Sequence, residues 1–432
     1  MKAARILVLG VALAAGGAAA YLVNGDDAPK ADSPLAPVVQ QIILREARSI
    51  DDAVKIASRY QAIATWTILI ADAKTGEAAT IEITKGGVKL VRQTRNAPLA
   101  QTNHVFDKVQ QAYAFFPSYN KYNETHTRMA TLEKAFARLQ SQAAQGASFD
   151  AATAVAQLAN HDDINGRFQP FGTTSVKSYD AMSTVMLPQA KKIYMTGGDF
   201  LPSPHGTYLG FQLDEQLNPV ALVGTLRDQS FAGTPGVLQS LNDYIRARLA
   251  YELKNYVEAE RLIRQAIAHA SDAGVNGADP ASADRKAGAL RVYNYMLARL
   301  LAMKATQNLY GDQSRDARNA AYNESRELFT TVIKDAGVLP YQRALAEYHY
   351  ALAELKFRNS KGLRFAKLSP ETIALMNDAL SVFQSKSAEL KSTIEIKDMA
   401  TDISNAKKVV NARGYSDQKS LKADDVDWIV IR

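Results

Sequence analysis

The sequence predicts an α+β fold, in which a layered sandwich of helices and antiparallel strands is followed by an all-α helical repeat domain. Three observations predict it. Before residue 235, segments with helical spacing of apolar residues alternate with short β-rich runs. After it, the strand pattern ends and helical spacing continues to about Arg413. Finally, 47% of the 432 residues are hydrophobic, so the chain can bury more than one core.

Composition excludes several classes of function. The sequence contains no Cys, so it offers no disulfide, no Cys-ligated zinc and no thiol nucleophile. The formal net charge is +7, but the basic residues are dispersed along the chain rather than interleaved with aromatic residues in a stripe. Dispersed charge of this kind is typical of a solvated surface. We therefore expect no nucleic-acid partner.

The N-terminus carries the signature of export. Lys2 and Arg5 precede an uncharged apolar run, Ile6 to Val23, which is long enough for a short membrane span. We expect residues 1–23 to anchor the chain in the inner membrane, with the body in the periplasm. The alternative is a signal peptide cleaved near Ala18 to Ala20, which would release the body into the periplasm or the medium. Residues 24–37 are rich in Pro and acidic residues and predict a tether.

Helices and a meander open the predicted sandwich, which spans residues 38–234. Apolar spacing predicts a helix over Val38 to Ala47, and Ser49 is placed to cap a second helix that carries acidic residues in its first turn. Three β-rich runs separated by hairpin connectors follow, at Thr65 to Asp72, Ala78 to Thr84 and Val88 to Gln93. The next stretch, APLAQTNHVFD (Ala97 to Asp107), is predicted to form a fourth strand of this meander.

In the remainder of the sandwich, predicted helices are again followed by predicted strands. Helix is predicted over residues 107–144 and 149–159, and strands over Met182 to Pro188, Lys192 to Gly198 and Tyr208 to Leu213. We expect the strand methionines Met182, Met186 and Met195 to lie in the core.

The helical domain is predicted over residues 235–413, with a C-terminal tail over residues 414–432. Its clearest unit places small and large residues as a tetratricopeptide repeat does, at Ala247, Ala250, Tyr256, Ala259, Ile263 and Ala266. Stacked repeats form concave surfaces, so this domain is a candidate platform for a protein partner. The alternative is that the helices only brace the sandwich.

Residues from about Pro37 to Leu213 resemble a known family. The segments that carry the resemblance are IILREARSIDDAVKIASRY, ILIADAKTGEAATIEIT, TNHVF and STVMLPQAKKIYMTGG, in this order. They are similar to the acyl-CoA:6-aminopenicillanic acid acyltransferases, or C45 peptidases, of the N-terminal-nucleophile (Ntn) hydrolase superfamily. The resemblance implies a partial αββα Ntn sandwich. It also implies acyl transfer or amide hydrolysis by a self-exposed Cys.

The resemblance implies a role for the TNH motif. Asn103 would donate a hydrogen bond to the oxyanion that forms on the carbonyl, and His104 is a weaker catalytic candidate beside it. The physical need is general, since removing one such donor costs about 2.7–4 kcal/mol of transition-state stabilisation. The alternative is an Asn side chain that pins its own turn through backbone groups.

The nucleophile is where the sequence departs from its relatives. The family's nucleophile-bearing segment has no counterpart upstream of Pro37, and the sequence has no Cys. The family's Arg before the closing hairpin is also not evident, with Lys177 and Asp180 as the nearest charges. We therefore expect a protein that is catalytically incomplete on its own. The alternative is an active enzyme on small amides or thioesters whose nucleophile segment is missing from the sequence or supplied by another chain.

Other polar candidates are weaker. Ser33 and the hydroxyls of GTTS (residues 172–175) could replace the Cys, but neither precedes a strand pair with a base in reach. His161, Asp162 and Asp163 beside Asn165 resemble an oxygen-rich metal loop but lack the spacing of a calcium site. The His residues show no zinc-binding spacing either. We expect no metal and no cofactor.

Overall fold

The structure, a computed structural model, separates the chain into two compact units. It describes residues 36–60, 65–113, 119–172, 174–178, 180, 182–214, 216, 218–272, 280–307, 310–311, 314–360, 368–389, 400–401 and 403–404. The sheet unit comprises Met1–Phe115, Tyr122–Gly166 and Gly172–Ser230. The helical unit comprises Phe116–Lys121, Arg167–Phe171 and Phe231–Arg432. The described part thus confirms the α+β class. The predicted anchor, Ser33 and the C-terminal tail lie outside the described residues.

Two helices and a meander begin the sheet unit, as predicted. The helices are α1 (Ala36–Glu46) and α2 (Ile50–Ala57), and the strands are β1 (Trp66–Asp72), β2 (Glu77–Thr84) and β3 (Gly87–Arg95). Ser49 is the N-cap of α2, since its Oγ accepts from the backbone N–H of Asp52 at 3.1 Å. The strands pair antiparallel in the order β1-β2-β3.

The core of this half lies between the helix pair and one face of the meander. Buried apolar side chains of α1 and α2 pack against buried isoleucines of β1 and β2, namely Val39, Ile43, Ala53, Ile56 and Ala57 against Ile68, Ile81 and Ile83. The other face of β2 is buried as well, but it carries Thr80, Glu82 and Thr84. A buried carboxylate requires hydrogen-bond donors, so Glu82 on this second face must be met by polar groups from elsewhere in the chain.

The prediction of a fourth strand over Ala97 to Asp107 is wrong, because this stretch is irregular. Its backbone N–H groups are taken by side chains instead of a strand ladder. Those of Phe106 and Asp107 donate to the buried carboxylate of Glu82, and that of Asn103 donates to Thr125 Oγ1 at 2.8 Å. The stretch is thus attached to β2 at one end and to a helix at its centre.

Helices α3 (Tyr119–Ala144) and α4 (Ala151–Leu158) lead to a second sheet made of β4 (Thr184–Leu187), β5 (Lys192–Thr196), β6 (Tyr208–Leu213) and β7 (Pro219–Leu226). Its strands are antiparallel in sequential order, and β7 has no counterpart in the sequence-based prediction. Helix α4 packs on one face of the sheet through Ala154, Val155 and Leu158.

The outer face of the second sheet is open to solvent. The strand register places Met186, Ile193, Phe211 and Leu222 in one apolar row across the four strands. Leu222 is 69% exposed and Met186 is 37% exposed. The expectation of core methionines is therefore wrong for Met182 and Met186, because α4 covers only the opposite face.

The helical unit consists, in its described part, of α5 (Pro235–Glu252), α6 (Tyr256–Asp272), α7 (Pro280–Thr306), α8 (Arg315–Lys334), α9 (Pro340–Ser360) and α10 (Pro370–Glu389). The small residues predicted to let α5 and α6 approach closely are buried, as Ala247, Ala259 and Ala266 show. Over the described residues, no helix combines the length and apolarity that crossing a membrane requires.

Candidate functional site

Asn103 is fixed in place by hydrogen bonds of its own N–H and of Thr102, the residue before it. Its own N–H donates to Thr125 Oγ1, and the hydroxyl of Thr102 donates to the carbonyl of Thr125 at 2.8 Å. Thr125 belongs to α3. From β1, Thr67 Oγ1 donates to the carbonyl of Thr102 at 3.2 Å. A residue held this way by β1 and α3 presents its side chain in one direction, as a preorganised ligand-binding group requires.

The side chain of Asn103 bonds to two cationic side chains rather than to its own turn. Lys177 Nζ donates to Asn103 Oδ1 at 2.6 Å, and Arg128 Nη1 donates to the same oxygen at 3.2 Å. Both partners are donors, so they identify which end of the amide is the oxygen. The amide nitrogen, Nδ2, has no partner among the described residues, and Asn103 is exposed. An N–H donor is therefore left at the surface.

The two cations belong to a buried charged cluster, which we define as Glu124, Arg128, Lys177 and Asp180. Arg128 lies 3.9 Å from Glu124 Oε1 and donates from Nε to the carbonyl of Thr174 at 3.1 Å. Asp180 Oδ2 accepts from the backbone N–H of Lys177 at 2.9 Å. The side chains of Glu124, Arg128 and Lys177 are buried, and Glu124 Oε2 has no hydrogen-bond partner among the described residues.

Burial changes the ionisation of this charged cluster. It lowers the pKa of Lys177 to about 7, and Arg128 lowers it further, while Glu124 and Asp180 partly offset the effect. Burial also raises the pKa of Asp180 above its ordinary value. The ammonium form of Lys177 is thus no longer strongly preferred at neutral pH, which is typical of lysines in functional sites.

His104 is buried behind Asn103. Its Nδ1 lies 3.0 Å from Thr102 Oγ1 and 3.3 Å from Thr125 Oγ1, and its ring stacks on His126 with 4.2 Å between centroids. Burial, and then the neighbouring His126, lower the pKa of His104 to about 4, so its imidazole is neutral at pH 7. Only 6% of His104 is exposed. It supports the Asn103 stretch from inside, whereas Asn103 faces the solvent.

Glu82 supports the same stretch from below. Its carboxylate accepts from two consecutive backbone N–H groups, and burial raises its pKa even though these hydrogen bonds and Lys89 act in the opposite direction. The sequence signal for such a buried acceptor was Glu82 between two isoleucines, Ile81 and Ile83, in the strand EAATIEIT. Glu124 and Arg128 were missed, although their spacing of four residues on a polar helix predicts an ion pair.

Among the described residues, the remaining sequence candidates do not form a second site. Thr174 is buried and its hydroxyl donates to the carbonyl of Val176 at 3.0 Å, while Thr173 lies outside the described residues. His161 contacts His205 rather than a metal loop, with 2.8 Å between their Nε2 atoms. Asp163 accepts from the backbone N–H of Asn165 at 2.8 Å. Within the described ranges, no group of three His, Asp or Glu side chains could hold a metal ion.

Comparison with known proteins gives one match. Residues 29–169 match the family model described as acyl-coenzyme A:6-aminopenicillanic acid acyl-transferase. Asn103, Glu82 and the Glu124–Arg128 pair fall inside the matched residues, whereas Lys177 and Asp180 lie beyond them. No curated protein and no solved structure matches the chain. About a third of the chain is thus similar to this acyltransferase family.

Proposed function

We propose that Asn103 binds the carbonyl oxygen of an acyl group, in an amide or a thioester, as the oxyanion donor of an acyltransferase-like site. One observation carries the proposal, which is that Arg128 and Lys177 both donate to Asn103 Oδ1. With its oxygen occupied, the amide can only donate through Nδ2. A fixed N–H at the surface is the group that stabilises negative charge on a carbonyl oxygen.

The sequence of 432 residues supplies this donor without a Cys nucleophile. An oxyanion donor alone binds and polarises a carbonyl group but does not break its bond. The proposed activity of the chain alone is therefore recognition of acyl groups. Catalytic turnover as an amide hydrolase or acyltransferase would require a Cys nucleophile from elsewhere.

The proposed setting is a membrane-tethered, exported protein. The basic residues before the apolar run Ile6 to Val23 support an anchor, with a cleaved signal peptide as the alternative. The helical unit is the proposed platform for a protein partner, since paired helices with small buried residues can stack into an extended surface.

Binding of an unreactive amide tests the proposal. We would titrate the protein with N-benzoylglycinamide and follow binding by ligand-observed NMR. Asn103→Asp retains an acceptor for Arg128 and Lys177 but removes the N–H donor, so it should fold and lose affinity about tenfold or more. Asn165→Leu, which changes another exposed Asn, is the matched control and should bind like the wild type. Equal affinity of Asn103→Asp and the wild type would refute the proposal.

A further inference from the structure

Lys177 is positioned beside any group that Asn103 holds. Its Nζ contacts Asn103 Oδ1 at 2.6 Å, and Oδ1 shares its carbon atom with the donor Nδ2. Asn103 is exposed while only 2% of Lys177 is exposed, so the amine lies directly beneath the surface amide. A carbonyl bound to Nδ2 is therefore adjacent to a primary amine.

The surroundings of this amine favour its neutral, nucleophilic form. Arg128 shares the same acceptor with Lys177, and a neighbouring cation together with burial is a known way to activate a lysine. Among the described residues, Glu124 on α3 and Asp180 on its own loop also act on the amine, both in the opposite direction. The balance brings the pKa of Lys177 to about 7, so about half of the amine is neutral near pH 7.

We propose that Lys177 Nζ accepts the acyl group of an activated thioester whose carbonyl oxygen is bound by Asn103 Nδ2. The inference rests on the proposed function, because Asn103 must first hold the carbonyl. The amine attacks the carbonyl carbon, a C–N bond forms and the C–S bond breaks. The sulfur leaves with the electron pair of that bond, and the proton lost by the amine is taken up by the thiolate. The products are an amide on Lys177 and a free thiol.

The lack of Cys makes this reaction separable from that of a thiol enzyme. A Cys nucleophile would give a thioester adduct that hydroxylamine cleaves, whereas acylated Lys177 is a stable amide. The chain would accept one acyl group and keep it, so the reaction modifies the protein once rather than turning over.

Intact mass spectrometry of the full chain tests the inference. The probe is the S-acetyl thioester of N-acetylcysteamine at pH 7.5. We expect one hydroxylamine-stable acetyl group per chain, mapped to Lys177 and formed at least about tenfold faster than on exposed lysines, whose ordinary pKa of about 10.4 leaves them protonated. The rate should rise with pH through a midpoint near 7, which an exposed lysine does not show.

Three variants make the test specific. Lys177→Arg retains a donor to Asn103 but stays protonated, so the fast acetylation should disappear. Lys108→Arg, at an exposed position, should be acetylated at Lys177 at the wild-type rate. Asn103→Asp should slow acetylation of Lys177 at least about tenfold, because it removes the carbonyl donor and because its carboxylate favours the protonated form of Lys177.

The outcomes separate the two proposals. Acetyl groups spread over exposed lysines at equal rates, or unchanged labelling in Lys177→Arg, would overturn the role of Lys177. If the unreactive amide still binds through Asn103 when Lys177 is not acetylated, the proposed function stands and only the role of Lys177 is lost. If neither amide binding nor acetylation depends on Asn103, the proposed function fails and the inference fails with it.

Discussion

Two of the buried polar clusters in the described part of the sheet unit differ in where their hydrogen bonds end. In the charged cluster of Glu124, Arg128, Lys177 and Asp180, two side chains donate to Asn103 Oδ1. Asn103 is exposed, and its Nδ2 has no partner among the described residues. The histidine cluster, which we define as His161, His205 and Asp228, is closed. His205 bonds to His161 through Nε2 and to Asp228 Oδ2 through Nδ1, at 2.8 and 3.1 Å.

The difference shows what converts a buried polar cluster into a candidate site. The side chains of His205 and Asp228 are 1% and 2% exposed, and Ser230 supplies a further donor to the same carboxylate. Such a cluster can stabilise the fold through charge-assisted hydrogen bonds, but it offers no group to a ligand. The charged cluster positions one exposed amide, so its effect is expected in binding as well as in stability.

The largest expected effect concerns the centre of the charged cluster. Arg128→Met leaves Glu124 buried without its cation, and breaking a buried pair costs about 3–5 kcal/mol. We expect the free energy of unfolding, measured by urea titration, to fall by about that amount. Arg138→Met, at an exposed position of the same helix, is the control and should change it by less than about 0.5 kcal/mol. Equal stability of the two variants would show that the charged cluster is not structural.

The second prediction separates stability from binding. His205→Phe keeps an aromatic ring but removes both hydrogen bonds and leaves Asp228 partly unpaired, which should cost about 3 kcal/mol. Affinity for N-benzoylglycinamide at Asn103 should be unchanged in the folded variant. Loss of amide binding in this variant would contradict the division into a closed cluster and an open one.

The third prediction uses pH. The folded pKa of His104 is about 4, below its ordinary value of 6.5, so the unfolded chain binds more protons between these values. Stability from this group is present above pH 6.5 and is lost as pH falls towards 4. Between pH 7 and pH 5 we expect a loss of about 2 kcal/mol, which His104→Gln should reduce. Parallel urea titrations at both pH values measure it, and an identical loss in His104→Gln would exclude His104 as the cause.

Local patterns predicted the regular elements well, because their cause is local. Helical spacing and Ser49 predicted α1 and α2, and β-rich runs predicted β1 to β3 and β6. The Ala97 to Asp107 stretch was mispredicted because its backbone donors pair with Glu82, which lies 24 residues from Phe106. When a side chain accepts the backbone hydrogen bonds that a neighbouring strand would otherwise accept, the alternation of apolar and polar residues in the sequence does not reveal it.

Contacts between residues that are distant in sequence also limited the prediction of the site. Asn103 could be singled out from its motif, but its two partners could not. Lys177 is 74 residues away along the chain and Arg128 is 25 residues away, so their convergence on one oxygen depends on the tertiary fold. His104, its sequence neighbour, was the weaker candidate from the sequence, and its burial separates it from the exposed Asn103.

The side-chain NMR signal of Asn103 tests most directly whether its Nδ2 donates to a carbonyl oxygen. In protein labelled with ¹⁵N at Asn, the Asn103 side-chain pair is assigned as the signal that disappears in Asn103→Asp. Titration with N-benzoylglycinamide should move this pair downfield in proton shift and leave that of Asn165 in place. An amide that binds without moving the Asn103 pair would contradict the role of Asn103 as the carbonyl donor.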